Sequence, residues 1–491
     1  MAEQFEVGTP EWWRTRLLLK LRQQIDESSE YTKFYEGEQP LAFASKKFAA
    51  VFGQRYARLP ANFMPLVVEA EAERLVVQGF RFGAAGADKG IWQMWQANQL
   101  DAESQIAHEI ALVKGCSFAL VAPGDPEPVI TIEDPGEVVV ETEQGNRRKR
   151  RAALKAFIDD EGYLRVYLYL PTDIYKWRTS KPYQRTREVH KAEFVEFSED
   201  GESFPVANPL GVVPVVPLLN RPRRDGRGRS EIAPVMGNQN AINKLRFDSL
   251  VASEYVAFPQ RWVTNIDIPV DPDTGKPIEP FKPGVDTLWG IRRPTPAEVA
   301  EYGDKVPQPA LGQFPAADMG PYIEAIEAEI GQMASISRTP YHYFLGTPTA
   351  VPPSGESLKS SEAPLVKKVT KASIHLGEGW EETIRVALIA DGQTAKAKNV
   401  DAETIWADPE TRNEAARTDS IIKQYQVGLL PRSVALEELN YSQTQIERIL
   451  KEKPDDDKPG QPDVSGFPGL STNGVGAALA GAERTQSTPD A

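Results

Sequence analysis

One turn, Pro352-Pro353-Ser354-Gly355-Glu356-Ser357-Leu358-Lys359, stands between two segments of helical period. It constrains the chain more than any other stretch. Proline donates no backbone hydrogen bond and pushes its predecessor out of the helical region, so one helix must end before this turn and another begin after it. Before it, residues 318–337 place Ile323, Ile326, Ile330 and Met333 on one stripe. After it, Leu365, Val369, Ala372, Leu376, Trp380, Ile384 and Leu388 recur near helical spacing. Gly377 and Gly379 interrupt that run and predict a bend. Asp318, Glu324, Glu327 and Glu329 make the first helix acidic, with no Lys or Arg before Arg338. Lys359, Lys367, Lys368 and Lys371 follow the turn. No catalytic set accompanies it, so a mechanical or binding role is expected.

A chain of 491 residues is long enough for two to four domains. Its net charge of -14 argues against a general nucleic-acid coat, but it does not exclude a protein that lets DNA slide past. A lone cysteine, Cys116, allows no internal disulfide and no cysteine zinc site; it reads as a small buried residue in a reducing compartment. The apolar run 212–219 is broken by Pro214 and Pro217, far short of the roughly 20 residues a membrane span needs. Near the N-terminus, Trp12, Trp13 and Leu17 to Leu21 are interleaved with Arg14, Arg16 and Lys20, which reads as an amphipathic helix packed on the body.

Helical period is expected over 9–35, 66–78, 91–98 and 102–114. Strands are expected at 118–121, 129–132, 138–141, 154–158, 163–170, 176–178 and 193–197. A long helix is expected over 231–257. Extended segments at 260–265 and 281–290 flank a loop, Asp271 to Lys276, that mimics a calcium loop but puts Gly275 where a ligand is needed. Residues 294–315 read as irregular, and helices are expected at 405–427, 434–439 and 442–451. From Pro454 onward, Pro, Gly, Ser, Asp and Ala predict a disordered tail. The fold class is α+β.

Two basic segments stand out. Arg147-Arg148-Lys149-Arg150-Arg151 reads as a solvated hairpin tip, with a DNA or acidic-partner contact as the alternative. Arg221, Arg223, Arg224, Arg227 and Arg229, interleaved with Gly226 and Gly228, read as a flexible joint. No phosphate-binding Gly-Lys-Ser/Thr loop and no Gly-x-Ser-x-Gly elbow occurs, and Ser354 and Ser357 of the turn lack the Ser-x-x-Lys acylase spacing. His108, His190, His342 and His375 are scattered. No cofactor, metal or catalytic residue is expected, and the chain is read as a non-enzyme.

Taken in order, these features resemble the portal proteins of tailed double-stranded DNA bacteriophages, and within them the siphovirus portal family. The similarity rests on four features: the helical N-terminus from Trp12-Trp13 to Tyr35; Gly228-Arg229-Ser230-Glu231 leading into a long helix with Asn240 and Asn243-Lys244-Leu245; the Pro-rich β excursion; and Ser354-Gly355-Glu356-Ser357-Leu358-Lys359 opening the second long helix. The resemblance implies a wing (1–228), a first stem helix (229–257), a clip (258–316), a second stem helix (317–337), a tunnel loop with a long bent helix returning to the wing (338–404), a crown (405–452) and a disordered tail (453–491). It implies a ring of about twelve subunits at one capsid vertex, closed by head-to-tail interfaces. Double-stranded DNA would pass through it during packaging and ejection. Partners would be the terminase large subunit, a head–tail adaptor, and the major capsid and scaffolding proteins, with no membrane. The chain would be assembled in the host cytoplasm and reside in the virion. Arg338, Ser354, Gly355, Glu356, Lys359, Glu324 and Glu327 would face the tunnel, with Lys367 and Lys368 adding phosphate contacts. Gly377 and Gly379 would be the hinge of the long helix, and Trp262, Asp271, Asp273, Lys276 and Trp289 would meet clip partners. Another head–tail connector or adaptor, and a carboxylate-dependent hydrolase, are the alternative readings.

Overall fold

The computed structural model describes residues 5–40, 61–83, 86–183, 189, 192–198, 201–257, 261–264, 273–275, 296–303, 310–313, 318–345, 355–410, 414–439, 441 and 443–452. In chain order the elements are α1 (Pro10–Tyr35), α2 (Met64–Ala72), β1 (Val77–Phe82), α3 (Lys89–Ala97), α4 (Leu100–Lys114), β2 (Cys116–Ala122), β3 (Val129–Glu133), β4 (Val138–Glu143), β5 (Asn146–Ile158), β6 (Leu164–Tyr169), β7 (Asp173–Thr179), β8 (Phe194–Glu196), β9 (Val206–Ala207) and β10 (Val215–Leu219). There follow α5 (Met236–Ala257), β11 (Arg261–Thr264), α6 (Pro296–Tyr302), β12 (Ala310–Gln313), α7 (Gly320–Ser337), α8 (Tyr341–Leu345), α9 (Gly355–Ala390), α10 (Thr394–Ala397), β13 (Ala402–Trp406), α11 (Glu414–Gln426), α12 (Arg432–Glu438) and α13 (Gln443–Glu452). Mixed helix and sheet confirm the α+β class.

The chain forms two compact units. One comprises residues 1–32, 67–231 and 349–491; the other comprises 33–66 and 232–348. The first contains the sheets β4-β5-β6-β7-β8, with β9 pairing β7, and β10-β2-β3. Alternation sorts the larger sheet's side chains onto two faces. Val139, Leu154, Val166 and Leu168 join Trp13, Leu17 and Leu21 of α1 in one core. Val138, Val140 and Ala153 join Phe118 and Val215 in another. The N-terminal amphipathic helix therefore packs on the body, as its pattern predicts. Arg14 lies over Trp177 at 4.7 Å, and Arg151 over Trp13 at 5.1 Å.

Three sequence readings are corrected. The helix expected over 66–78 ends at Ala72, and Val77 starts a strand. The helix expected from 405 is instead strand β13 through Trp406, and α11 begins at Glu414. These two errors share a cause: β1 and β13 pair antiparallel, with Phe80 opposite Thr404, and local period cannot reveal a partner over 300 residues away. Within the stretch read as irregular, residues 296–302 are helical and β12 pairs β11, with Trp262 opposite Gly312.

Candidate functional site

In the second unit α5 and α7 pack together. The Asn238 side-chain amide donates to Glu329 at 2.8 Å, and the Gln239 side-chain Oε1 accepts from the Phe63 backbone N–H at 3.0 Å. Ile330, Met333, Ala334 and Ser337 form the buried face of α7, whereas Glu324 and Glu327 are exposed. The predicted stripe holds only toward the C-terminal end: Ile323 is 57% exposed. The helix ends on Arg338, exposed and at φ 60°, in the left-handed region. The Thr339 amide closes the turn on the Ala334 carbonyl at 3.1 Å. Glycine is the usual residue there, because a Cβ costs about 1 kcal/mol in that conformation.

In the first unit α9 begins at Gly355, so Gly355 and Glu356 lie in its first turn, while Ser354 falls outside the described residues. Lys359 and Lys367 are exposed. Lys368 is not: it is 3% exposed, and its Nζ lies 2.8 Å from both Glu71 Oε2 and Glu231 Oε2. This corrects its expected role in phosphate contact. The lysine follows the apolar stripe inward (Leu365, Lys368, Ala372), and the ion cluster is what makes its burial tolerable. Glu231 also accepts from Asn220 at 2.6 Å and pairs with Arg221. Burial pushes the Glu71 carboxyl up to about 6, against the pull of Lys368. For Glu231 burial acts the same way, but Lys368 and Arg221 outweigh it and hold its carboxyl below the usual range. Burial opposes the charge on Lys368, and the two carboxylates more than restore it.

Gly377 and Gly379 have a packing reason. A Cβ on Gly379 would stand 2.6 Å from Leu218 Cδ2 and 3.2 Å from the Pro217 carbonyl oxygen; one on Gly377 would stand 3.2 Å from Trp406 Nε1. The helix is assigned without a break through both. What they provide here is clearance for the helix backbone against β10 and β13.

The basic segments are woven into the first unit. Arg150 pairs with Glu382 at 2.8 Å and Lys149 with Glu143 at 3.1 Å. Residues 220–231 are pinned rather than loose, which corrects the flexible-joint reading. The Asn220 backbone N–H donates to the Gly115 carbonyl at 3.0 Å, and that of Glu231 to the Leu112 carbonyl at 2.8 Å. Gly228 packs so tightly on Gly115 that a Cβ would lie 1.6 Å from its carbonyl oxygen. Of the clip residues, Trp262 has its backbone on β11 and Asp273 is exposed in a turn; Asp271, Lys276 and Trp289 lie outside the described residues.

Sequence reading missed His108. The Trp380 indole donates to its Nε2 at 2.9 Å, so Nδ1 carries the proton and donates to the Leu75 carbonyl at 3.0 Å. Burial pushes its pKa down to about 4. Cys116 keeps part of its surface exposed, while burial of its thiol pushes that group up to about 12. Among the described residues no group of three or more His, Cys, Asp or Glu could hold a metal ion, and no helix is long and apolar enough to cross a membrane.

Comparison with known proteins matches residues 21–459 to the family described as phage portal protein, SPP1 Gp6-like. The chain belongs to this portal family. It is a structural, non-enzymatic component of a phage virion. Two curated relatives are each named portal protein. That of Mycobacterium phage L5 is 29% identical over 466 residues, covering 91% of this chain and 89% of the relative. That of Mycobacterium phage D29 is 29% identical over 468 residues, with the same coverage. Among solved structures, the virion of a native gene transfer agent particle aligns with 84% of this chain and 93% of its own at 11% identity and a TM-score of 0.41. The neck of the empty particle, computed with C6 symmetry, aligns over the same shares at 11% identity and a TM-score of 0.42.

Proposed function

We propose that this chain assembles head to tail into a ring of about twelve copies at one capsid vertex, forming the channel through which double-stranded DNA is packaged and later ejected. The observation that carries this reading is the extent of the family match: residues 21–459 run through both compact units, so the whole subunit is portal-like rather than one borrowed domain. Assembly would take place in the host cytoplasm. Residues 258–316 would dock the terminase large subunit and then the head–tail adaptor, through Trp262, Asp271, Asp273, Lys276 and Trp289. Major capsid and scaffolding proteins would meet the outer body.

The tunnel assignment draws support from α7. Glu324 and Glu327 lie on its exposed side, and carboxylates facing a passing duplex would repel phosphates and keep the DNA from adhering. Arg338 and Lys359 are exposed and would make the few transient phosphate contacts, with Ser354, Gly355 and Glu356 beside them in sequence.

Light scattering and negative-stain microscopy of the purified protein test the ring. About twelve copies of a 54.4 kDa chain give about 650 kDa. The expected particle has a central hole wide enough for a duplex of about 20 Å. A closed particle without a hole would sink the channel. In a packaging assay, Arg338→Glu with Lys359→Glu is expected to lower DNA packaged per particle; unchanged packaging would remove both residues from the tunnel.

A further inference from the structure

The two basic segments, unassigned by the portal reading, meet. Arg147 Nη1 donates to the Arg223 carbonyl at 2.9 Å across 76 residues of sequence. Together with α1 they line a cleft of about 700 Å³ within the first unit. Its walls carry six cations: Arg16, Lys20, Lys114, Arg147, Arg223 and Arg227. Only three carboxylates line it, those of Glu27, Glu141 and Asp225. With Asp134, which lies just outside the lining and pairs with Lys114, the cations still exceed the carboxylates by two (six minus four), in a chain whose net charge is -14.

The cations are unequally compensated. Arg16 and Lys20 share the single carboxylate of Glu141, at 2.8 and 2.5 Å. Arg227 pairs with Glu27 at 3.0 Å, and Lys114 with Asp134, outside the lining, at 2.6 Å. Arg147 satisfies itself on a neutral carbonyl, and both it and Arg223 are exposed. The lining also includes Phe118, Pro217 and Leu219, so it is apolar as well as cationic.

We propose that this cleft is a docking site for an extended acidic peptide segment of another protein, carrying an apolar side chain between its carboxylates. The volume lies in the range of ordinary ligand sites and is far too small for a duplex. The apolar wall residues Leu19, Pro217 and Leu219 beside the cations favour a peptide that carries an apolar side chain as well as acids over a purely phosphate ligand. An apolar residue in the peptide would bury against Leu19, Pro217 and Leu219, while Arg147 and Arg223 would make charge-assisted bonds to its acids. The site does not depend on the ring.

The test uses the full chain and a fluorescent peptide of six glutamates around a central leucine, read by anisotropy. Saturable binding is expected, at least about tenfold weaker in Arg147→Glu with Arg223→Glu. Both side chains are exposed, so an unchanged melting curve confirms folding of the variant. Should it fold poorly, Arg147→Gln with Arg223→Gln is expected to weaken binding in the same direction. No saturation by millimolar peptide, or equal affinity in a folded variant, would overturn the site. A thymidine oligonucleotide of equal charge that displaces the peptide and binds more tightly would overturn it in favour of nucleic acid.

Discussion

Helices α9 and α7 each carry charges at helical spacing, and the two use them in opposite ways. In the first unit, Lys368 of α9 is turned inward and held between Glu71 and Glu231. In the second, Glu324 and Glu327 of α7 face outward, and Glu329 reaches a side-chain partner, Asn238. A charge on an apolar stripe becomes part of the core and fixes which elements meet; a charge off the stripe stays available to a ligand. Position relative to the stripe, rather than the charge itself, decides which of these charges is built into the core.

The largest expected effect tests this contrast directly. Lys368→Met leaves two buried carboxylates facing one arginine and should cost about 3–5 kcal/mol in urea denaturation. Lys359→Met, nine residues earlier and exposed, should stay within about 0.5 kcal/mol. Equal losses would erase the distinction.

Acid titration sharpens it next, because two buried groups of the first unit act with opposite sign. His108 has its folded pKa lowered to about 4 from 6.5, so the unfolded chain binds its proton first. Its contribution, present above pH 6.5, is lost as pH falls toward 4, by about 3 kcal/mol at the limit. Glu71 is raised from 4.5 to about 6, so its contribution is full below pH 4.5 and is lost as pH rises through about 6. Between pH 7 and 4.5 the His108 contribution declines while that of Glu71 grows. In His108→Gln that decline should flatten; an unaltered slope would show that His108 does not govern the acid limb.

Smaller effects follow. Gly379→Ala would gain about 1 kcal/mol on helix propensity alone, but the 2.6 Å approach to Leu218 should turn it into a loss of about 1–3 kcal/mol. A net gain would show that α9 can lift off β10. Arg338→Gly should add about 1 kcal/mol by relieving the left-handed residue, while lowering packaging if the side chain touches DNA. Glu324→Lys with Glu327→Lys should change stability least, within about 0.5 kcal/mol.

The element types of most of the chain were legible. The 26 residues of α1 begin beside the Thr9-Pro10 signal, the turn before Lys359 does open α9, and the hairpins of β4 to β7 follow their alternation. The cluster at Lys368 was also partly written there: Glu71 lies four residues after Val67 and four before Leu75, and Lys368 lies between Leu365 and Ala372. Both are charges at core positions, which can persist only if they find each other. Pattern cannot name the partner.

The sequence by itself determined which residues are apolar, where helices can start and stop, and the motif order that marks a portal protein, because these depend on neighbours within a few residues. Only the tertiary structure decided that β1 pairs with β13, that Glu231 and Glu71 both belong to Lys368, and that two basic runs share one cleft. Each of these joins residues distant in sequence, where the deciding energies are burial and Coulomb attraction across folded space.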